Sequence, residues 1–214
     1  MKLSKLFLKI VYKLMSIPYY AHLKKGVTKN DFSIIANDCC GGVIYHRIGK
    51  QFCSPFINLF IEHDDYILLL SNLEYFLSQE LKEFPSEQSY PIGLLGEEKQ
   101  IKINFMHYKN FADAKDCWEK RKKRLLLDKL IVILNLTNYP DENRVNEYIS
   151  KLEKLNYENY LIFSRFNSNN PNVIKIDFSD LKTIQNAAIL APQKYPFRLH
   201  IDQINYKKVF KRFD

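Results

Sequence analysis

Apolar side chains return every third or fourth position over residues 2–15: Leu3, Leu6, Phe7, Ile10, Val11, Leu14 and Met15. Lys2, Lys5, Lys9 and Lys13 share the opposite side. That period predicts an amphipathic helix with a wide apolar stripe, and Pro18 is expected to end it. Beyond it, short apolar runs predict strands over 31–36, 99–107, 130–136, 160–164 and 173–176. The run 130–136 reads as a strand buried on both faces. Helical spacing predicts helices over 42–48, closed by Gly49; over 64–82, capped by Asp64; over 111–126 and 141–155; and over 179–190, capped by Ser179. Residues 84–96, with Tyr90-Pro91 and two glycines, read as loop. Strands alternating with helices predict an α/β layered sandwich with a largely parallel or mixed sheet. No repeat or long linker divides the chain. The expectation is one α/β domain over residues 28–200, an N-terminal helical arm over 1–27 and a basic C-terminal tail over 201–214. The tail either joins the surface of the arm or is a solvated terminus.

Charge changes how the arm is read. The chain has 214 residues and a net charge of +8, of which the seven lysines of residues 1–30 supply +7 with no acid among them. The rest is near neutral, with 25 Lys and Arg against 24 Asp and Glu. A duplex binder carries its basic stripe on the folded domain, so no nucleic-acid partner is expected. A basic amphipathic helix suits an anionic membrane surface instead, met through residues 1–18, with each lysine worth ~1 kcal/mol there. The competing reading is that the apolar stripe simply packs on the body. No apolar run reaches the ~18–20 residues that a spanning helix needs. Lys9 and Lys13 interrupt anything resembling a secretory signal. The four cysteines, Cys39, Cys40, Cys53 and Cys117, form no CxxC pair or zinc spacing and are expected to stay reduced. A cytoplasmic protein is expected, peripheral on the inner face of the plasma membrane.

The candidate chemistry lies where strands end. In an open α/β sheet, ligands bind beyond the carboxyl ends of the strands. The turn Asn37-Asp-Cys-Cys-Gly-Gly42 follows the first predicted strand. Gly41 and Gly42 would let the backbone approach a ligand, and successive N–H groups there suit an anion. Cys39 is a candidate nucleophile if a base assists it, and His107, ending the strand 99–107, is the candidate base. The bland reading is a small buried thiol and two turn glycines. Arg121 and Arg124 lie in the basic run 120–124, which is either a phosphate-binding surface or a solvated helix end favoured by the dipole. His63-Asp64-Asp65 reads as a helix start rather than a metal site. No GxGxxG, GxxxxGK[ST], GxSxG or Asp-x-Asp pattern is present, and no spacing names a cofactor.

With these segments in place, the chain resembles a bacterial family of unknown function often encoded in exopolysaccharide, capsule or lipopolysaccharide gene clusters. The resemblance rests on Ile34-Ile-Ala-Asn-Asp-Cys-Cys-Gly-Gly-Val-Ile-Tyr45, where Asp38 replaces the usual asparagine and Cys40 the usual aromatic. It continues through Ser54-Pro55, Tyr90-Pro-Ile-Gly93, and His107-Tyr108 with Ala114, Trp118 and Arg121-Lys-Lys-Arg124. It covers roughly residues 28–200 and singles out Cys39 as the matching cysteine. The resemblance implies a role in surface-polysaccharide biosynthesis, as a transferase or accessory enzyme handling an activated donor or a lipid-linked glycan. It adds Tyr45 and Tyr108 to Asn37, Gly41, Gly42, Arg121 and Arg124 as substrate-binding candidates, beside Cys39 and His107 as the catalytic ones.

Overall fold

A computed structural model describes residues 2–25, 27, 30–185 and 187–210, with the backbone course alone for residues 2–6. Its centre is a four-stranded parallel sheet in the order β1-β5-β6-β7. The strands are β1 (Ser33–Ala36), β5 (Leu130–Asn135), β6 (Tyr160–Ser164) and β7 (Val173–Lys175). Alternate side chains of these strands enter two separate cores. Ile35, Val132, Leu134 and Ile162 face one; Ile34, Ala36, Ile131, Ile133, Leu161 and Phe163 face the other. Burial on both faces is why the strands read as unbroken apolar runs.

The first core is roofed by α3 (His63–Ser71), α4 (Leu73–Ser78), α5 (Phe111–Lys122) and α6 (Glu142–Glu153), together with a second, antiparallel sheet. That sheet, in the order β2-β3-β4, comprises Leu81–Phe84, Ile92–Leu95 and Ile101–Asn104. The mixed α/β class expected from the sequence is therefore present. In its antiparallel part, β4 lies within the predicted strand 99–107, whereas β2 and β3 fall where the sequence predicted the end of a helix and a loop. The long predicted helix 64–82 is two helices broken at Asn72, and its N-cap is Glu62 rather than Asp64. Asp64 instead pairs with Arg144 and Lys151 of α6.

The second core is covered by α2 (Cys40–Ile48) and the C-terminal segment. Gly49 ends α2 with φ 71°, the left-handed conformation expected of it. The helix predicted over 179–190 is not formed over residues 179–185. Asp177 accepts bonds from both the N–H and the hydroxyl of Ser179, which holds the chain in a turn, and only Ala188–Leu190 forms a short 3-10 turn. Nor are residues 201–210 a solvated terminus. Ile201, Ile204, Tyr206, Val209 and Phe210 are core residues, the last three on α7 (Tyr206–Phe210). Asp202 holds the fully buried end of an ion pair with Arg47 of α2 at 2.9 Å. Residues 211–214 lie outside the described residues.

The arm, α1 (Lys2–Lys24), runs through Pro18 instead of stopping there. Its contact with the body is aromatic: Tyr19 packs on Phe197 at 5.4 Å, and the Tyr20 hydroxyl donates to the Phe197 carbonyl. The Arg47 guanidinium lies 4.7 Å over the Tyr20 ring. The apolar stripe points elsewhere. Phe7, Ile10, Leu14 and Met15 are exposed, together with Leu8 and Ile17, so packing on the body does not account for them. Leu3 and Leu6, also assigned to the stripe, lie among the residues whose side chains are not described.

The Arg47–Asp202 pair ties the C-terminal segment to α2, and breaking it leaves a guanidinium buried and unpaired. Asp202→Ala is expected to lower unfolding stability by ~3–5 kcal/mol in urea titrations. A loss below ~1 kcal/mol would show that the pair is not a structural tie.

Candidate active site at the carboxyl edge of the parallel sheet

Asn37 is the first residue after β1, and its side chain continues the ladder that its backbone leaves. Its Oδ1 accepts from the Asn135 N–H at 2.8 Å, and its Nδ2 donates to the Asn135 carbonyl at 3.4 Å. Its own carbonyl accepts from Ile61. Asn37 is buried, and these bonds commit it to the sheet, so it does not line a ligand surface as the sequence suggested. The freed backbone then turns out of the sheet. Asp38 Oδ1 accepts from the Cys40 N–H at 2.9 Å, and Asp38 Oδ2 accepts from Asn135 Nδ2 at 2.6 Å. Cys39 thereby becomes the N-cap of α2.

The Cys39 Sγ lies 3.1 Å from the His107 Nε2. The thiol is partly accessible and the imidazole exposed, so solvent and ligands reach the pair. The sequence brought these two residues together by placing both at carboxyl ends of one parallel sheet. The geometry differs: His107 follows β4 of the antiparallel sheet. The segment 54–61 joins the two. Phe60 exchanges both backbone hydrogen bonds with Asn104, Ile61 bonds Asn37, and the Leu59 carbonyl stands 3.8 Å from the Cys39 Sγ. Cys40 points the other way, into the second core.

Burial, with the Asp38 carboxylate adding to it, pushes the Cys39 thiol up to about 12. The helix N-terminus favours a thiolate, but desolvation outweighs it here. Raised in this way, the thiol favours its protonated form and has two acceptors within reach, the His107 Nε2 and the Leu59 carbonyl. Chemically, such a pair suits deprotonation at the moment of attack, with the imidazole as base, better than a standing thiolate.

The other predicted residues are placed as follows. Gly41 and Gly42 serve packing: a Cβ on Gly41 would meet that of Ala36 at 2.9 Å, and one on Gly42 would meet the Asn58 Oδ1 at 2.4 Å. Protein atoms, not a ligand, require these glycines. Tyr45 is buried, donates to the Phe32 carbonyl and accepts from the Ile34 N–H, which closes the free edge of β1. Arg121 points inward, its Nη1 donating to the Ile57 carbonyl and its guanidinium lying over Phe52. Tyr108 is half-buried against Phe105, next to Arg121 and Cys117. Arg124 lies by Cys53, whose carbonyl accepts from the hydroxyl of Ser33, the first residue of β1. That is the end of β1 opposite the thiol. The structure thus brings Cys39, His107, Asn37 and Asp38 together, and sets Tyr45 and Arg124 apart from them.

Sequence reasoning missed the residues that complete the cluster. His63 is buried, with its Nε2 2.9 Å from the Asn135 carbonyl and its ring against Tyr139 and Tyr148. Asn135 Oδ1 accepts from both the N–H and the hydroxyl of Thr137, and the Thr137 carbonyl accepts from the Arg165 Nε. One signal was present: Asn135 is a polar residue inside an apolar run. No group of three or more His, Cys, Asp or Glu side chains among the described residues is arranged to hold a metal ion.

A family described as a domain of unknown function (DUF1919) matches the chain over residues 10–208. A protein of Haemophilus influenzae, described as uncharacterized, is 32% identical over 143 residues, which is 66% of this chain and 66% of that protein's length.

Because the folded thiol holds its proton well above the ordinary thiol range, Cys39 alkylation by iodoacetamide at neutral pH is expected to be roughly 10³-fold slower than for a free cysteine. It should rise about tenfold per pH unit into the alkaline range. The same shift removes stability as pH climbs from the unfolded thiol's pKa toward about 12, since the folded state disfavours the thiolate. Site-resolved mass spectrometry reads the rate; a rate already flat from pH 6 would mean a standing thiolate–imidazolium pair.

Proposed function

This chain belongs to the DUF1919 family, and we propose that it is a transferase of surface-polysaccharide biosynthesis, acting on a glycan or lipid-linked glycan at the cytoplasmic face of the membrane. The observation that carries the chemistry is the 3.1 Å contact between the Cys39 Sγ and the His107 Nε2 at an accessible sheet edge. It favours acyl transfer over a reaction without a covalent step. In the first half, Cys39 Sγ bonds to the acyl carbon of an acyl thioester, His107 takes the thiol proton, and the donor thiol leaves with that proton. In the second half, a glycan hydroxyl attacks the enzyme thioester, its proton passes to His107, and Cys39 leaves and regains it. The pathway assignment is supported by the resemblance carried by residues 34–45, 90–93 and 107–124.

The membrane-surface part is supported by α1. At ~100° per residue, Phe7, Leu8, Ile10, Leu14, Met15 and Ile17 spread over roughly half of its circumference, all exposed, with Lys9 and Lys13 beyond the arc. No helix among the described residues is long and apolar enough to cross a membrane.

Incubation with acetyl-coenzyme A is expected to leave an acyl adduct on Cys39, detectable by intact mass. Cys39→Ala should abolish it, and His107→Gln should slow it ~10²–10⁴-fold. Transfer undiminished in Cys39→Ser and His107→Gln would sink the nucleophile assignment. Silent substitutions with membrane binding intact would leave a non-catalytic accessory role in the same pathway.

Ile10→Glu with Leu14→Glu is expected to abolish co-sedimentation with phosphatidylglycerol vesicles, and wild-type binding should fall with added salt. Equal binding by the double variant would refute the apolar face as the contact.

A further inference from the structure

Arg165 follows β6 directly, at the same edge of the sheet as the Cys39–His107 pair. Its Nε donates to the Thr137 carbonyl at 3.1 Å. Among the described residues its two terminal nitrogens have no hydrogen-bond partner, and no carboxylate pairs with it. Burial, with no compensating charge, holds it below the usual guanidinium range. Other inward-facing arginines are differently placed. Arg47 has Asp202, Arg121 has the Ile57 carbonyl and the Phe52 ring, and Arg124, whose Nε is shielded without a partner, lies by Cys53 at the opposite end of β1. A partly desolvated cation without a counter-charge is a stable arrangement chiefly when an anion visits it.

The neighbouring atom points the same way. Asn138 follows the residue whose carbonyl binds Arg165, and its Oδ1 is shielded from solvent without a protein donor. A shielded amide oxygen requires a hydroxyl or N–H from elsewhere. Arg165 thus offers two free guanidinium nitrogens to an anion, and Asn138, next in sequence to its carbonyl partner, holds an unpaired acceptor.

The corner is also joined to the thiol. Arg165 bonds Thr137, Thr137 bonds Asn135, and Asn135 bonds Asp38, the residue before Cys39. β1 and β6 flank β5, so with strands ~4.8 Å apart the guanidinium's strand lies about 10 Å from that of the thiol. That separation spans a diphosphate and the sugar attached to it.

We propose that Arg165 and Asn138 form a diphosphate subsite of this active site, the guanidinium gripping phosphate oxygens and the Asn138 Oδ1 accepting from a hydroxyl of the attached sugar. The choice of a phosphorylated sugar rests on the transferase reading above. The anion subsite itself does not depend on Cys39.

Calorimetric titration tests it with three probes: inorganic pyrophosphate, UDP-N-acetylglucosamine and farnesyl diphosphate. Arg165→Gln is expected to weaken all that bind by about 10–100-fold. Arg165→Lys, which keeps the charge and guards against a folding artefact, should retain part of the pyrophosphate affinity. Asn138→Ala should weaken the sugar-bearing probe and leave pyrophosphate unchanged. Arg124→Gln, at the opposite end of β1, should change nothing. Preference for the nucleotide sugar assigns the diphosphate to a nucleotide-linked acceptor, and preference for farnesyl diphosphate assigns it to a lipid carrier. Cys39→Ser should bind as the parent does, so binding that persists without acyl transfer separates this subsite from the nucleophile. Absence of binding by all three probes at millimolar concentration, or unchanged binding in Arg165→Gln, would overturn the proposal.

Discussion

The pairing of the Asn37 side chain with the backbone of Asn135 is the constraint on which the site depends. A parallel ladder ordinarily ends when the backbones diverge, leaving polar groups to be satisfied at the rim. Here an amide side chain supplies one more rung to β5 while its own backbone departs. That lets the chain turn from strand to helix within three residues and sets Cys39 at the head of α2. The same step aims the Asp38 carboxylate back at Asn135, which in turn holds Thr137. An apolar residue at 37 would orphan the Asn135 N–H in the core, leave its carbonyl to His63 alone, and release the turn that carries the thiol.

The site is built across a seam. Its thiol belongs to the parallel sheet and its imidazole to the antiparallel one, and the segment 54–61 bonds to both. Gly41 and Gly42 let that segment press against α2 with no intervening side chain. The seam explains how an exposed histidine can meet a thiol whose surroundings are dry enough to keep it protonated. It also separates two tasks: the sheet fixes the thiol and its hydrogen-bonded partners, while the β4 tail delivers the base.

Much of the parallel half was legible in the sequence. The apolar runs of β1, β5 and β6 and the helical spacing of α5 and α6 are strong local signals, and core burial agrees with them. Of the antiparallel half only β4, inside the predicted strand 99–107, was legible. β2 and β3 are four residues each, with exposed Lys82 and Glu83, and their inward residues, Leu81 and Leu95, find their place only in the shared core. At the site, Cys39 and His107 were legible because each ends a strand-like pattern. The roles of Asn37 and Tyr45 were not, since whether an amide or a hydroxyl faces a ligand or a neighbouring strand is a tertiary matter. His63 and Arg165 carried no local signal at all; each gains meaning only from the Asn135–Thr137 corner that it meets.

Pro18 sits inside α1 rather than at its end, and that sets a limit of depth. Proline has no N–H to return to the carbonyl of Leu14, one of the outward apolar residues. Such a carbonyl is tolerable where water reaches it and costly within hydrocarbon. On the membrane surface proposed for it, the helix would float at the oil–water boundary, its draught fixed by a single missing proton, and would not sink further without exposing that defect to the oil.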